Sequence, residues 1–287
     1  MLFRSNRYEY LILDEERALY GLKGAEVISC KFDGPADGES ALKECRDIVT
    51  KDCYFNLRYP FWHVTGAKIE NCITTEGCRA AMWYDRDLHI ISSKLDGIKA
   101  FRECDECSVT DSQINSKEFG WMCRDISIRD TRLESEYPFL SCQRLDIDNL
   151  TMKGKYSFQY TTDSAIRNSN LDTKDAFWHS KNITVIDSVI KGEYLAWYSE
   201  NLHLIRCTII GTQPLCYCKG LILEDCKMID CDLSFENSEV QATIVGHVDS
   251  VKNPASGTVI ADSIGEIIQD EFAWNQGPVE IKIRSLT

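Results

Sequence analysis

The sequence predicts an all-β fold, a single-stranded right-handed parallel β-helix (solenoid) of about twelve coils. Three observations lead there. From residue 45 onward one short phrase recurs with a period near 19 residues, as in "RDIVTKDCYF" from Arg46, "RDISIRDTRL" from Arg124, "KNITVIDSVI" from Lys181 and "KGLILEDCKM" from Lys219. The anchor after the Asp or Asn falls at Cys53, Cys72, Ser93, Gln113, Thr131, Leu150, Ser169, Ser188, Cys207, Cys226 and Val245. Within each phrase apolar residues alternate with polar ones, the mark of a half-buried strand. The short five- and six-residue repeats of other β-solenoids do not occur.

Each coil has three parts. Its first strand places Ile48, Ala67, Leu88, Ser108, Ile126, Leu145, Ser164, Ile183, Leu202, Leu221 and Val240 inward. Two residues on, the second inward column holds Ile69, Ile90, Thr110, Ile128, Ile147, Ile166, Val185, Leu204 and Leu223. A turn follows, rich in Asp and Asn, whose side chains satisfy turn backbone. The second strand buries the small anchor column and then Phe55, Leu95, Leu133, Met152, Leu171, Ile190, Ile209 and Met228. Strands spaced by one period and running the same way pair in parallel, about 4.8 Å apart, with right-handed connections. Residues 1–23 are expected to cap one end, 24–265 to form the β-helix and 266–287 to cap the other, since a solenoid must cover its open ends.

The third part of the coil is aromatic. A five-residue window in ten coils, among them "YPFWH" (59–63), "YPFLS" (137–141), "YSFQY" (156–160), "DAFWH" (175–179) and "YLAWY" (194–198), holds 20 of the 29 aromatic residues. Treated as a strand of period two, it puts Trp62, Trp83, Trp121, Trp178 and Trp197 inside. The other face would expose Tyr137, Phe139, Tyr156, Phe158, Tyr160, Phe177, Tyr194, Tyr198 and Tyr217, the expected ligand-binding residues. One position earlier stands a charged column, Arg58, Arg79, Lys99, Lys117, Glu136, Lys155, Lys174 and Glu193. Its like charges would repel at a spacing of about 5 Å unless an anion lay along them.

Composition narrows the function. A net charge of −13 disfavours non-specific binding to nucleic acid or acidic membranes, and no run is apolar enough to span a bilayer. The fourteen cysteines, in a chain that opens without a recognisable export signal, point to reduced thiols and a cytoplasmic location. Cys53/Cys72 and Cys207/Cys226 fall in one small inward column, and Cys123, Cys142 and Cys218 in another, so no metal site and no cofactor is expected.

The phrases "DEERALYGL" (14–22), "GPADGESALKE" (34–44), "KYSFQYT" (155–161), "DAFWHS" (175–180) and "GTQPLCYC" (211–218) resemble the bacterial domain-of-unknown-function family 3737, grouped with pectin-lyase-like β-helices. That resemblance implies the fold and supplies no activity. Two functions stay open. One is a carbohydrate-active protein that binds or cleaves an acidic oligosaccharide, a polysaccharide lyase or glycoside hydrolase if it is an enzyme. Its candidate catalytic residues are Lys155, Lys174, Asp175, His179 and Glu193, in which Lys155 or Lys174 serves proton abstraction and Asp175 with Glu193 serves as a carboxylate pair. The other is a non-catalytic scaffold that uses the same face for a partner or for homo-oligomerisation. His179 is expected between Tyr160 and Tyr198 of the adjacent coils.

Overall fold

The computed structural model describes residues 6–36 and 38–284. The chain divides into two compact units, Met1–Phe139 and Leu140–Thr287. Each is a parallel β-solenoid, and no helix occurs among the described residues. The turns number about fifteen, a little above the expected twelve. The surplus lies at the chain ends. Arg7–Glu9 pairs in parallel with Glu26–Ile28, which pairs with Val49–Lys51, so the ladder begins within the first residues. At the other end Val279–Ile283 pairs with Gly257–Ala261.

In the first unit, Arg46–Lys51, Thr65–Glu70, Arg86–Ile91 and Asp105–Thr110 stack one turn apart. In the second, Thr162–Arg167, Lys181–Ile186, Glu200–Ile205 and Leu221–Ile229 do the same. Ile69, Ile90, Ile128, Ile147, Ile166, Val185, Leu204 and Leu223 are buried as the alternation requires, and so are Phe55, Leu95, Leu133, Met152, Leu171, Ile190, Ile209 and Met228.

One coil is displaced by a residue from the expected register. Cys107 stands opposite Ile126 and Val109 opposite Ile128, so Cys107 and Val109 face inward in place of Ser108 and Thr110. The anchor there is the buried Ser112, whereas Gln113 is exposed. The correction makes the period more regular. It also shows why the column wants small polar residues: each Oγ accepts a main-chain N–H from the turn before. The Cys72 amide donates to Ser93 (3.1 Å), the Ser93 amide to Ser112 (3.1 Å), and the Ser169 amide to Ser188 (3.0 Å). A corner interrupts the ladder and orphans an amide, and a buried unpaired N–H costs about 1–3 kcal/mol.

The turn between the first two strands is left-handed at one residue per coil, with φ between 47° and 54° from Asp52 to Arg206. Asp and Asn tolerate that conformation better than other side chains. Adjacent turns are also tied laterally, as where Asn71 donates to Asp52 (2.5 Å).

Candidate functional site: the aromatic corner

The third part of the coil departs from the expected strand. In the second unit Tyr156, Phe158 and Tyr160 all have φ near +57°, and Asp175, Phe177 and His179 repeat the pattern, as do Tyr194, Ala196 and Tyr198. A backbone that is left-handed at every second residue curls instead of extending, so a period-two assignment of faces fails. Phe61, Phe139, Phe158 and Phe177 are buried, which removes Phe139, Phe158 and Phe177 from the expected ligand surface. Phe158 and Phe177 stack inside at 4.9 Å. In the first unit Gly120 (φ 72°) leaves room for the Phe139 ring; a Cβ there would lie 2.8 Å from it.

The tryptophans, expected inside, are half-buried. Three of their indole N–H groups donate to the main chain one turn on, Trp121 to the Tyr137 carbonyl (2.6 Å), Trp178 to Tyr194 (2.6 Å) and Trp197 to Gln213 (2.8 Å), whereas Trp83 donates to the Glu103 carboxylate (3.4 Å). Trp62 and Trp83 stack at 5.7 Å. The Lys43 ammonium lies 4.2 Å from the Trp62 ring centre, and the Arg102 guanidinium is 5.7 Å from the rings of both Trp83 and Trp121. This column acts as a structural staple.

The next residue is the outermost ring. In the second unit Tyr160, His179, Tyr198 and Tyr217 form one stack with centroid spacings of 5.1, 5.2 and 4.9 Å. His179 therefore sits between the two expected tyrosines. Tyr160 is 53% and Tyr198 44% exposed. Their faces cover one another, and Trp274 leans on the last ring at 5.7 Å. Sugar rings cannot stack along this column; what it offers to solvent is ring edges, hydroxyls and an imidazole. Tyr137 is also exposed, while Tyr156, Tyr194 and Tyr217 are half-buried. Burial pushes the Tyr217 phenol up to about 12, so it stays a hydrogen-bond donor at neutral pH.

The candidate catalytic residues do not assemble as a charged pair facing a cleft. Lys174 is bound to Glu193 at 2.9 Å and lies over the Tyr194 ring. Asp175 is buried, and its carboxyl is raised by desolvation, against the opposing pull of Lys174. Lys155 is exposed. The basic column is likewise partly compensated, since Arg58 meets Glu39 at 3.5 Å and Lys99 meets Glu118 at 3.4 Å. All fourteen cysteines are buried free thiols. Their Sγ atoms point at main-chain carbonyls, as in Cys207 to Val185 (3.3 Å).

A groove in the first unit was not anticipated. It encloses about 610 Å³ and is lined by Gly21, Lys23, Glu44, Arg46, His63, Thr65 and Tyr84. One wall is the outer ring column, where His63 and Tyr84 stack at 5.1 Å. The other is the start of the first strand, where Lys23 bridges Arg46 in parallel and Arg46 stands beside Thr65. Further along this strand-start position cations have partners: Arg86 grips Glu106 (2.6 Å), and Arg124 grips Asp105 (3.0 Å). The Lys23 and Arg46 side chains have none among the described residues. Glu44, the groove's one carboxylate, receives the Tyr20 hydroxyl at 2.6 Å, a bond that raises the phenol's pKa. Reading residues 1–23 as a cap hid Lys23 from its column. Lys23 stands 23 residues before Arg46, so a 19-residue step back lands on Val27 and misses it.

A family model described as "Protein of unknown function (DUF3737)" matches residues 6–282. The chain belongs to this family. No curated protein matches it by sequence. Among solved structures, this DUF3737 chain is similar to the A-module of the Azotobacter vinelandii mannuronan C-5 epimerase AlgE4, at 10% identity and a TM-score of 0.41, over 83% of this chain and 89% of that one. It is also similar to PfbA, a surface adhesin of Streptococcus pneumoniae, at 9% identity and a TM-score of 0.45, over 91% and 83% of the two chains. A third is the catalytic domain of a GH87 alpha-1,3-glucanase, at 8% identity and a TM-score of 0.34, over 97% of this chain and 64% of that one. These are likenesses of a β-helix and nothing finer.

Proposed function

We propose that this DUF3737 protein binds an acidic oligosaccharide on its aromatic and basic corner, with the anionic groups read in the groove of the first unit. The observation that supports this reading is the pair of adjacent cations, Lys23 and Arg46, without an ion-pair partner among the described residues, in a groove whose far wall is the His63–Tyr84 stack. Neighbouring like charges are unfavourable, and a carboxylate between them turns that cost into charge-assisted hydrogen bonds of about 1.5–3 kcal/mol each. Glu44, held by Tyr20, faces the same space as an acceptor for sugar hydroxyls.

Binding is favoured over cleavage. Hydrolysis needs two carboxyl groups about 5–9.5 Å apart across the sugar bond, yet the groove is lined by one carboxylate, and Asp175 is buried. The test is a titration with an oligouronate. Lys23→Ala with Arg46→Ala should weaken binding by at least about tenfold, the loss of one such bond. Equal affinity in the double variant and the parent would refute the reading.

A further inference from the structure

The last strand, Val279–Ile283, is paired on one side only among the described residues, with Gly257–Ala261. The Pro278 carbonyl accepts from Gly257 (2.9 Å), and the Arg284 amide donates to Ala261 (2.9 Å). Successive residues of a strand point their main-chain groups to opposite sides. Residues 278, 280, 282 and 284 therefore face the preceding strand, and Val279, Ile281 and Ile283 present their N–H and C=O groups at a free edge. An open, apolar edge is a template for another strand.

Apolar side chains gather in the same terminal segment. Phe272 is 67%, Ile283 58%, Ile267 53% and Trp274 51% exposed. The strand Ser263–Ile268, too, pairs only with His247–Lys252 among the described residues.

We propose that this edge is a self-association surface and that its occupant is the same strand of a second copy, joined by a two-fold axis through Ile281. Antiparallel self-pairing centred there sets Ile281 opposite its symmetry mate and Val279 opposite Ile283 of the other copy. Both are hydrogen-bonded pairs, because these are the residues whose main-chain groups face outward. The residues between them, Glu280 and Lys282, then fall opposite each other in non-hydrogen-bonded pairs, where side chains approach most closely. Within one copy the two lie on the same face and already pair at 2.7 Å. The sequence Val-Glu-Ile-Lys-Ile is thus complementary to itself only when antiparallel; a parallel neighbour in register sets Glu against Glu and Lys against Lys. A two-fold interface of this kind closes at the dimer and removes the edge.

The test is the mass of the full chain by light scattering over a wide concentration range. The unaltered protein should dimerise. Glu280→Lys sets lysine against Lys282 of the other copy and should shift the dissociation constant upward by tenfold or more. Adding Lys282→Glu restores opposite charges and should restore the dimer. Ile281→Pro removes an N–H that faces away from Gly257–Ala261, so it should give a monomer with an unchanged circular dichroism spectrum. A monomeric parent overturns the proposal. A dimer untouched by Glu280→Lys and Ile281→Pro also overturns it, as does an Glu280→Lys/Lys282→Glu protein that stays as dissociated as the single variant.

Discussion

Asp85 is the buried group whose perturbation can be worked furthest. Its side chain is 1% exposed, where other coils carry Val64 or Cys104. Oδ1 accepts the Val64 amide at 2.7 Å, and Oδ2 has no hydrogen-bond partner among the described residues. Desolvation drives the carboxyl well above its ordinary value, only partly opposed by main-chain N–H groups. A carboxyl raised on folding stabilises the fold fully below its unfolded pKa, about 3.9, and loses that contribution as pH rises toward the folded value. Asp85→Asn keeps an acceptor for Val64 and removes the titration. Below pH about 4 the two proteins should differ by less than about 0.5 kcal/mol, as a neutral acid and an amide are close in shape. Above it the variant should gain about 1.4 kcal/mol per pH unit until the folded pKa is reached. At a urea slope of about 1–3 kcal/mol/M, each pH unit of that gain moves the midpoint by about 0.5 M or more. Urea titrations of both proteins at several pH values measure it. Midpoints that stay parallel as the pH rises above about 4 would refute the reasoning, because Asp85 would then be ionised inside the fold.

Four further outcomes follow from packing and exposure. Phe177→Ala empties a fully buried site in the inner stack with Phe158 and should cost about 3–5 kcal/mol, read by denaturant unfolding. Gly120→Ala forces a Cβ against the Phe139 ring at a left-handed position and should cost about 1–3 kcal/mol, whereas Lys155→Glu should leave the unfolding midpoint nearly unchanged. At pH 8 a thiol reagent should label few of the cysteines in the native protein and all fourteen in denaturant; burial raises Cys45 and Cys218 to about 11 and Cys78 and Cys231 to about 12. Fast native labelling of most thiols would contradict the packing.

The inward columns were legible because parallel pairing sets a residue beside its equivalent one period later, so Ile166, Val185 and Leu204 announce each other. Counting fixed periods slipped at Gln113, where a polar residue next to Ser112 fits the phrase as well and only burial separates them. The aromatic window was legible as a concentration and misread as a surface. Its left-handed backbone at Phe158 and Phe177 has no sequence signature, since aromatic residues are poor candidates for positive φ. His179 between Tyr160 and Tyr198 survived the error because it depends on the period alone. The Lys23–Arg46 pair lay outside the assumed repeat. The compensation of Lys174 by Glu193 could not be read from a column that lists both as neighbours without saying which way they reach.

The acidic-glycan reading rests on charge, so one comparison tests it most directly. An oligouronate and its carboxyl-reduced neutral counterpart, equal in length and linkage, are titrated into the protein by calorimetry at low and at high salt. The account predicts that the acidic chain binds, that the neutral one binds at least about tenfold more weakly, and that salt narrows the gap by screening Lys23 and Arg46. Equal binding of the two chains, or no binding of the acidic one at low salt, would contradict it.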